Sequence, residues 1–319
     1  MLMNSGILFT FSPLFWSTGF YCLMLSLTIG DARLITRKPF SEDTFFDLMQ
    51  QYPINNVFTP PSYIHLLMRH KRTKTVDWSN LKTWTFGGSL VSEEIRNYVD
   101  ALLPNGRSID GYGVSELGPV AVDLFGRRSH SVGQLLSNVS GKIVDEVGTA
   151  LSNGERGELL LKFSEPLLGY HNNRTETAAA FDEDGWLRTG DIASFDEDGY
   201  LYILDRKKDL LIYRGYHIAP AGLEAIIERI EGVEQVCVVG LPTEDGSSDL
   251  PAAVIVKSSQ SDLNEEKILQ IVDEQVADHK RLRGGVFFVS FLPMTENDSG
   301  RIASCLGSQG ADKTSNEDQ

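Results

Sequence analysis

The sequence predicts an α/β protein in two domains, the second smaller than the first and of α+β type. Three observations carry that reading. Between Val57 and Leu103, apolar runs of strand length alternate with helical stripes, the order of a doubly wound α/β layer. From Val132 to Leu204, short apolar runs are broken by Asn153-Gly154, Asp184-Gly185 and Asp198-Gly199, the residue pairs of antiparallel hairpin turns. Beyond a charged joint at Asp205–Asp209, two helical stripes and three strand-length runs recur over about a hundred residues, a common domain size.

The totals agree with such a protein. A chain of 319 residues buries a good core and holds two domains or more. The net charge of −15 argues against a non-specific nucleic-acid binder, which needs a basic surface. Three cysteines, Cys22, Cys237 and Cys305, are odd in number and fall in no CxxC or Cys/His spacing. A reduced compartment is the simpler expectation, with neither a disulfide framework nor a cysteine metal site.

The elements follow in order. Gly6–Gly30 contains no charged residue and is long enough for a membrane span. A signal peptide, a membrane helix and buried core compete for it. No basic n-region supports the first; Pro13, Gly19 and several hydroxyl residues weaken the second. Leu14–Thr28 has no clear period, so helix and strand are not separable there. Ser41–Gln50 reads as an amphipathic helix, Val57–Thr59 as a buried strand, and Pro60-Pro61 opens a helix because proline fits the first turn. Thr83–Phe86 is a strand ended by Gly87-Gly88. Ser92–Leu103 is a helix with Ser92 as its N-cap. Phe-Asp-Glu-Asp-Gly occurs twice, at Phe181–Gly185 and Phe195–Gly199. It lacks the ligand alternation and terminal Glu of a calcium loop, so two similar hairpin turns are expected. In the joint, Leu210–Tyr213 is a short strand, Gly215 a turn, and Pro220 the start of a helix continued by Leu223, Ile226, Ile227 and Ile230. Val236–Val239, Ala252–Val256 and Val286–Val289 are strands, and Ile268, Ile271, Val272, Gln275 and Val276 mark a second helix.

Several short patterns could carry chemistry. Gly87-Gly88-Ser89 after a strand lets a flat ligand approach the backbone, since no Cβ intervenes. In Asp110-Gly111-Tyr112-Gly113-Val114-Ser115-Glu116, two glycines flank an aromatic ring suited to a planar base. Ser115 could donate to a phosphate oxygen, and Glu116 could hold Mg²⁺, a hard cation that prefers carboxylate. Taken alone this stretch reads as a tight turn with a packed tyrosine. Asp191, in Thr189-Gly190-Asp191 ahead of a hairpin, is suited to the two hydroxyls of a ribose. Arg206 and Lys208 read equally well as solvated surface charge.

In combination the patterns resemble a known series. Asp110–Glu116, Gly157-Glu158-Leu159, Gly169-Tyr170, Glu176-Thr177, Gly185-Trp186, Thr189-Gly190-Asp191, Asp205-Arg206 and Gly215-Tyr216 to Glu224 stand in the motif order of the adenylate-forming superfamily. Leu250–Val254 and Lys280–Val286 extend the likeness, which runs from about Ser12 to Ile302. The branch resembled is that of 4-coumarate–CoA ligases, acyl-CoA synthetases and beetle luciferases. The resemblance makes buried core the favoured reading of Gly6–Gly30, with no stable membrane span. It implies residues 1–205 as a partial AMP-binding domain, divided into an α/β layer (1–125) and a β-barrel-like subdomain (126–205). Residues 206–304 would be the C-terminal domain and 305–319 a disordered tail.

The resemblance also implies a reaction. A carboxylic acid, fatty or aryl, attacks MgATP to give an acyl-adenylate and pyrophosphate, and coenzyme A takes the acyl group; luciferase-like oxidation is a more remote variant. ATP, Mg²⁺ and coenzyme A are the implied co-substrates and a small carboxylic acid the partner. Gly88, Gly111, Tyr112 and Gly113 would line the adenine, Ser115 would touch phosphate, and Glu116 would hold Mg²⁺. Asp191 and Arg206 would grip the ribose, Lys208 would be the pivot of the small domain, and Gly215 would border the path of the thiol. Arg301 stands where the family has its adenylating lysine; it keeps the charge but is planar and bulkier. Ile212 stands at a frequent lysine position and Trp16 at a frequent histidine position. A Ser/Thr/Gly-rich phosphate loop of the family is not found in the sequence. Impaired catalysis is therefore expected of this chain, and a non-catalytic nucleotide-binding homologue is the alternative. The resemblance implies a peroxisomal or cytoplasmic location; the closing residues Glu317-Asp318-Gln319 are not a Ser-Lys-Leu-type signal.

Overall fold

The computed structural model describes residues 6–89, 91–124, 126–165, 167–243, 248–258 and 261–292. The chain divides into two compact units, Met1–Leu204 and Asp205–Gln319.

The first unit begins with a β/α alternation: β1 (Ile7–Thr10), α1 (Ser17–Ile29), β2 (Ala32–Leu34), α2 (Glu42–Gln51), β3 (Asn56–Thr59), α3 (Pro61–Arg69), β4 (Thr83–Phe86), α4 (Glu93–Leu102) and β5 (Arg107–Val114). The helix starts follow local chemistry. Ser41 Oγ accepts from Thr44 N–H at 3.2 Å and Ser92 Oγ from Ile95 N–H at 3.4 Å, each such cap contributing about 1 kcal/mol. Acidic first turns, Glu42-Asp43 and Glu93-Glu94, suit the positive end of the helix dipole. Pro61 occupies the first turn of α3. The strands lie in the order β2-β1-β3-β4-β5 and pair in parallel. Phe9, Phe45, Phe46, Ile54, Ile64, Leu81, Trp84 and Phe86, all buried, form their core.

The uncharged stretch Gly6–Gly30 separates into two parts. β1 is core, with Phe9 fully buried, whereas α1 leaves Leu14, Phe15 and Leu27 exposed around its ends and Phe20, Met24 and Leu25 along it. No helix among the described residues is long and apolar enough to cross a membrane.

After β5 the chain becomes antiparallel: β6 (Gly118–Val122), β7 (Gln134–Leu135), β8 (Val139–Val144), β9 (Gly157–Phe163), then α5 (Arg174–Ala179), β10 (Leu187–Phe195) and β11 (Leu201–Arg206). β6 and β7 extend the first sheet, while β8–β11 form a second in the order β11-β10-β9-β8. Val120, Ala121, Val132, Ile143, Leu159, Leu161, Ala193 and Leu201 draw the two sheets around one core. The repeated Phe-Asp-Glu-Asp-Gly segments form matching turns. Asp182 Oδ1 accepts from Asp184 and Trp186 N–H, and Asp196 Oδ1 from Asp198 and Tyr200 N–H. Gly185 and Gly199 both have φ 79°. In each turn the first carboxylate is committed to the backbone.

The second unit holds the hairpin β12 (Leu211–Tyr213) and β13 (Tyr216–Ile218), α6 (Pro220–Ile227), β14 (Val233–Pro242), β15 (Asp249–Lys257), α7 (Glu265–Asp273) and β16 (Gly285–Phe288). β14 and β15 are antiparallel and β16 joins β15 in parallel. Alternation along the strands places Val236, Val238, Ala253 and Ile255 in one core and Cys237, Val239, Ala252 and Val254 in another, as the two-residue period of a strand requires. Helix α7 ends at Asp273, short of Gln275 and Val276, which the apolar stripe had included. The proposed tail, 305–319, lies outside the described residues.

Candidate functional site

The two glycine patterns, remote in sequence, meet at the C-terminal ends of β4 and β5. Phe86 of β4 pairs with Asp110 of β5, so Gly87-Gly88 follow β4 where Gly111–Gly113 carry β5 past the parallel pairing. A Cβ built on Gly87 would lie 3.4 Å from Gly111 O. Open α/β sheets bind ligands outside these strand ends. Gly88 has φ 100°, a backbone that suits glycine. Asp110–Val114 is not the tight turn that the pattern alone suggested. It is the continuation of β5, which leaves β4 and pairs antiparallel with β6, with a register shift between Tyr112 and Gly113. Gly113 is required by that crossing, since a Cβ there would stand 2.6 Å from Gly118 O. The turn comes later, at Ser115–Leu117, closed by Leu117 N–H to Val114 O. Gly118 follows it at φ 85°, covered by the Tyr21 ring of α1.

Tyr112 and Asp191 are brought together. The Tyr112 hydroxyl donates to Asp191 Oδ2 at 2.5 Å, across 79 residues, and joins the end of β5 to β10. Thr189-Gly190-Asp191 stands ahead of the Asp196–Gly199 turn, as expected, and lies inside β10, at an irregularity in its pairing with β9 between Arg188 and Ile192. Gly190 has φ 70°. Thr189 Oγ1 donates to Leu159 O at 2.8 Å and accepts from Asp191 N–H at 3.0 Å, so the bulge fixes the buried carboxylate. A bulge re-aims one side chain without breaking the strand.

Behind β5 lies a buried charge cluster. Arg96 of α4, 1% exposed, bonds Asp123 and stands 3.8 Å from Asp110 Oδ2. Asp123 Oδ1 accepts from Asp110 N–H at 3.0 Å and Asp110 Oδ1 from Gly111 N–H at 2.9 Å. Burial pushes the Asp110 carboxyl up to about 7; Arg96 opposes that rise and the Asp123 charge adds to it. The cluster fixes the start of the Gly111–Gly113 stretch from below. Motif reading did not find Arg96, although an arginine within the apolar stripe of α4, followed by two acids flanking one hairpin, was a visible signal.

Ser115 is exposed and Glu116 half-buried on the turn after β5. Glu116 Oε1 accepts from the Tyr170 hydroxyl at 2.7 Å. Burial, then the hydrogen bond to Glu116 and its charge, push the Tyr170 phenol up to about 12. Among the described residues no group of three or more His, Cys, Asp or Glu could hold a metal alone. One accessible carboxylate beside a serine hydroxyl does fit Mg²⁺, which is commonly held by one or two carboxylates, waters and substrate phosphates rather than by a protein cage.

The remaining candidates, Trp16 apart, lie at or beyond the end of β11. Arg206 is the last residue of β11 and half-buried. Lys208 sits exposed in a turn where Asp209 and Leu210 N–H both donate to Arg206 O. Arg214 and Gly215, with φ 49° and 80°, form the two-residue turn of β12–β13, the geometry that favours glycine in such hairpins. A Cβ on Gly215 would meet nothing within 4 Å. Ile212 is 46% exposed. Trp16 immediately precedes α1. Arg301 lies outside the described residues.

Comparison with known proteins agrees with this geometry. The profile of the AMP-binding enzyme family matches residues 3–171, and that of the AMP-binding enzyme C-terminal domain matches residues 222–298. The chain is 33% identical over 299 residues to 4-coumarate–CoA ligase 1 of Arabidopsis thaliana, covering 91% of this chain and 52% of that protein. It is 33% identical over 286 residues to the probable 4-coumarate–CoA ligase 3 of Dictyostelium discoideum, with 88% and 52% covered. The chain thus spans about half the length of the curated relatives it matches. ATP-bound MatB from Rhodopseudomonas palustris superposes with a TM-score of 0.81 at 25% identity, over 92% of this chain and 58% of MatB. The anthranilate CoA ligase AuaEII in complex with anthranoyl-AMP shares the fold, with a TM-score of 0.83 at 23% identity over 94% and 58% of the two chains. The chain belongs to the AMP-binding enzyme family.

Proposed function

We propose that this chain carries the nucleotide-binding face of an acid–thiol ligase, which activates a fatty or aryl carboxylic acid with ATP and passes the acyl group to coenzyme A. The observation that supports this most is the Tyr112–Asp191 hydrogen bond. It joins an aromatic ring, just past the parallel pairing of β4 and β5, to a fixed, buried carboxylate on β10, with Glu116 on the turn after β5. A base beside the ring and a ribose on the carboxylate use both groups at once.

In this reading the backbone around Gly88 and Gly111–Gly113 seats the adenine and Tyr112 packs on it. Asp191 accepts from ribose hydroxyls and Ser115 donates to phosphate. Glu116 would hold Mg²⁺, which when bound offsets negative charge at the phosphates. The acid's oxygen forms a bond to the α-phosphorus as the bond from that phosphorus to the pyrophosphate oxygen breaks. The thiol sulfur then bonds to the acyl carbon, AMP leaves, and the thiol proton is lost. Holding groups in line accounts for much of such catalysis. Arg206, Lys208 and Gly215 would serve the ribose and the second step, with Arg301 in the place of the adenylating lysine.

A second reading, nucleotide binding without efficient transfer, is favoured by Ile212. An exposed isoleucine has no proton to exchange and no charge to offer a thioester-forming step. Pyrophosphate–ATP exchange with a panel of fatty and aryl acids tests the first half-reaction, and acyl-CoA formation tests the second. Exchange without acyl-CoA supports the second reading over the first for the thiol step. Absence of exchange, with Arg301→Lys equally silent, overturns the ligase reading.

A further inference from the structure

Two pieces of the motif series, Gly169-Tyr170 and Glu176-Thr177, have no role in the reaction outlined above. In the fold they form one closed device. Gly169 has φ 130°, and a Cβ there would stand 2.7 Å from Thr177 Cγ2, so the loop passes tightly against that threonine. Thr177 Oγ1 accepts from Tyr170 N–H at 2.9 Å and donates to Asn173 O at 2.7 Å. Asn173 caps α5, its Oδ1 accepting from Glu176 N–H at 3.1 Å, and its own N–H donates to Tyr170 O at 3.2 Å. Gly169, Asn173 and Thr177 thereby fix the backbone of one residue, Tyr170. Its hydroxyl reaches across 54 residues to Glu116 Oε1.

We propose that Tyr170 is a positioning residue for Glu116, pre-orienting the carboxylate that takes the divalent cation accompanying the nucleotide. The proposal rests on the reading of Glu116 as the cation ligand. A glutamate on a surface turn otherwise samples several rotamers, and ordering it on binding the cation costs side-chain entropy. A phenol is well matched to the task. It donates to one carboxylate oxygen and brings no positive charge that would compete with the cation, as a lysine or arginine would. Partners of this kind behind a metal ligand typically change metal affinity by about 10- to 100-fold.

The test uses the whole chain and Mn²⁺ as probe, with unbound Mn²⁺ followed by electron paramagnetic resonance in the presence of a saturating non-hydrolysable ATP analogue. Nucleotide affinity is measured separately without divalent ions. Tyr170→Phe is expected to weaken Mn²⁺ binding about 10-fold and to leave divalent-free nucleotide affinity and melting temperature unchanged. Thr177→Val, which removes the hydroxyl seating Tyr170, is expected to shift Mn²⁺ binding in the same direction by a smaller factor. Glu116→Gln separates the two levels of the argument. If Glu116→Gln weakens Mn²⁺ binding and Tyr170→Phe does not, the positioning role is overturned while the ligand reading stands. If neither changes it, the ligand reading fails and the proposal fails with it. If Tyr170→Phe lowers Mn²⁺ and divalent-free nucleotide binding equally, the tyrosine is a structural support and the proposal is overturned.

Discussion

The corner at β5, β6 and β10 and the hairpin at Leu211–Ile218 share a surface pattern, glycine beside tyrosine, but glycine answers a different need in each. In the first, Gly113 is crowded by backbone: a Cβ would meet Gly118 O at 2.6 Å, and the buried charge cluster holds the start of the same stretch at Asp110 and Gly111. In the second, Gly215 faces open space and is needed only for its positive φ. One is a site fixed by packing, the other a turn fixed by backbone geometry. The same dipeptide can therefore mark a supported site or an exposed joint, and only the surroundings distinguish them.

The largest expected difference comes from the charge cluster. Arg96→Met strands Asp123 and Asp110 in the interior, and removing one partner of a buried pair costs about 3–5 kcal/mol. Urea unfolding followed by the fluorescence of Trp78 and Trp84 reads it. A cost below about 1 kcal/mol would mean that the cluster is wetter than the structure indicates. Next in size is the glycine pair itself. Gly113→Ala must displace backbone and is expected to cost about 1–3 kcal/mol by overpacking, with nucleotide binding lost in parallel. Gly215→Ala is expected to cost about 1 kcal/mol, the penalty of a left-handed residue, with nucleotide affinity unaltered. Equal effects on binding would erase the distinction between the two regions.

A pH series sharpens the comparison further. The Asp110 carboxyl is raised to about 7 from an ordinary value of 3.8. Between those values the folded chain holds a proton that the unfolded chain has released. The stabilising contribution is fully present below about 4 and is lost as pH rises through about 7. Asp110→Asn should flatten that part of the stability profile, while Gly215→Ala should leave its shape unchanged. The smallest effects belong to the twin turns. Asp182→Ala and Asp196→Ala each remove an acceptor of two backbone N–H groups, about 1 kcal/mol in each case. The loss should be somewhat greater at Asp196, whose second oxygen pairs with Arg128 at 2.5 Å where Asp182 has Lys142 at 3.4 Å. Thermal melts of the two variants give the order.

What the sequence made legible was governed by neighbours in the chain. Ser41, Ser92 and Pro61 announced helix starts because caps act within three residues, and the Asp-Gly pairs announced turns because a turn is local. Gly6–Gly30 was not divisible, since uniform apolarity supports β1 and α1 equally and only pairing with β2 and β3 decides. The Asp110–Glu116 segment looked like a turn because two glycines obscured a strand that is held by β4 on one side and β6 on the other. Asp191 falls ahead of the β10–β11 turn as expected, but the bulge that fixes it in the middle of β10 leaves little trace beyond Gly190. Partnerships over long separations, Tyr112 with Asp191 and Glu116 with Tyr170, became visible only when the sheets were assembled. The motif series supplied the residues of the corner but not which of them touch.

The most direct test of the nucleotide corner is calorimetric titration of the chain with a non-hydrolysable acyl-adenylate analogue, wild type against Asp191→Ala. Saturable binding to the wild type is expected, weakened by on the order of 10-fold or more in the variant, as when a charge-assisted hydrogen bond is removed, with titration carried out well below the melting temperature of the variant. Equal affinity in both proteins, or no binding to the wild type, would contradict it.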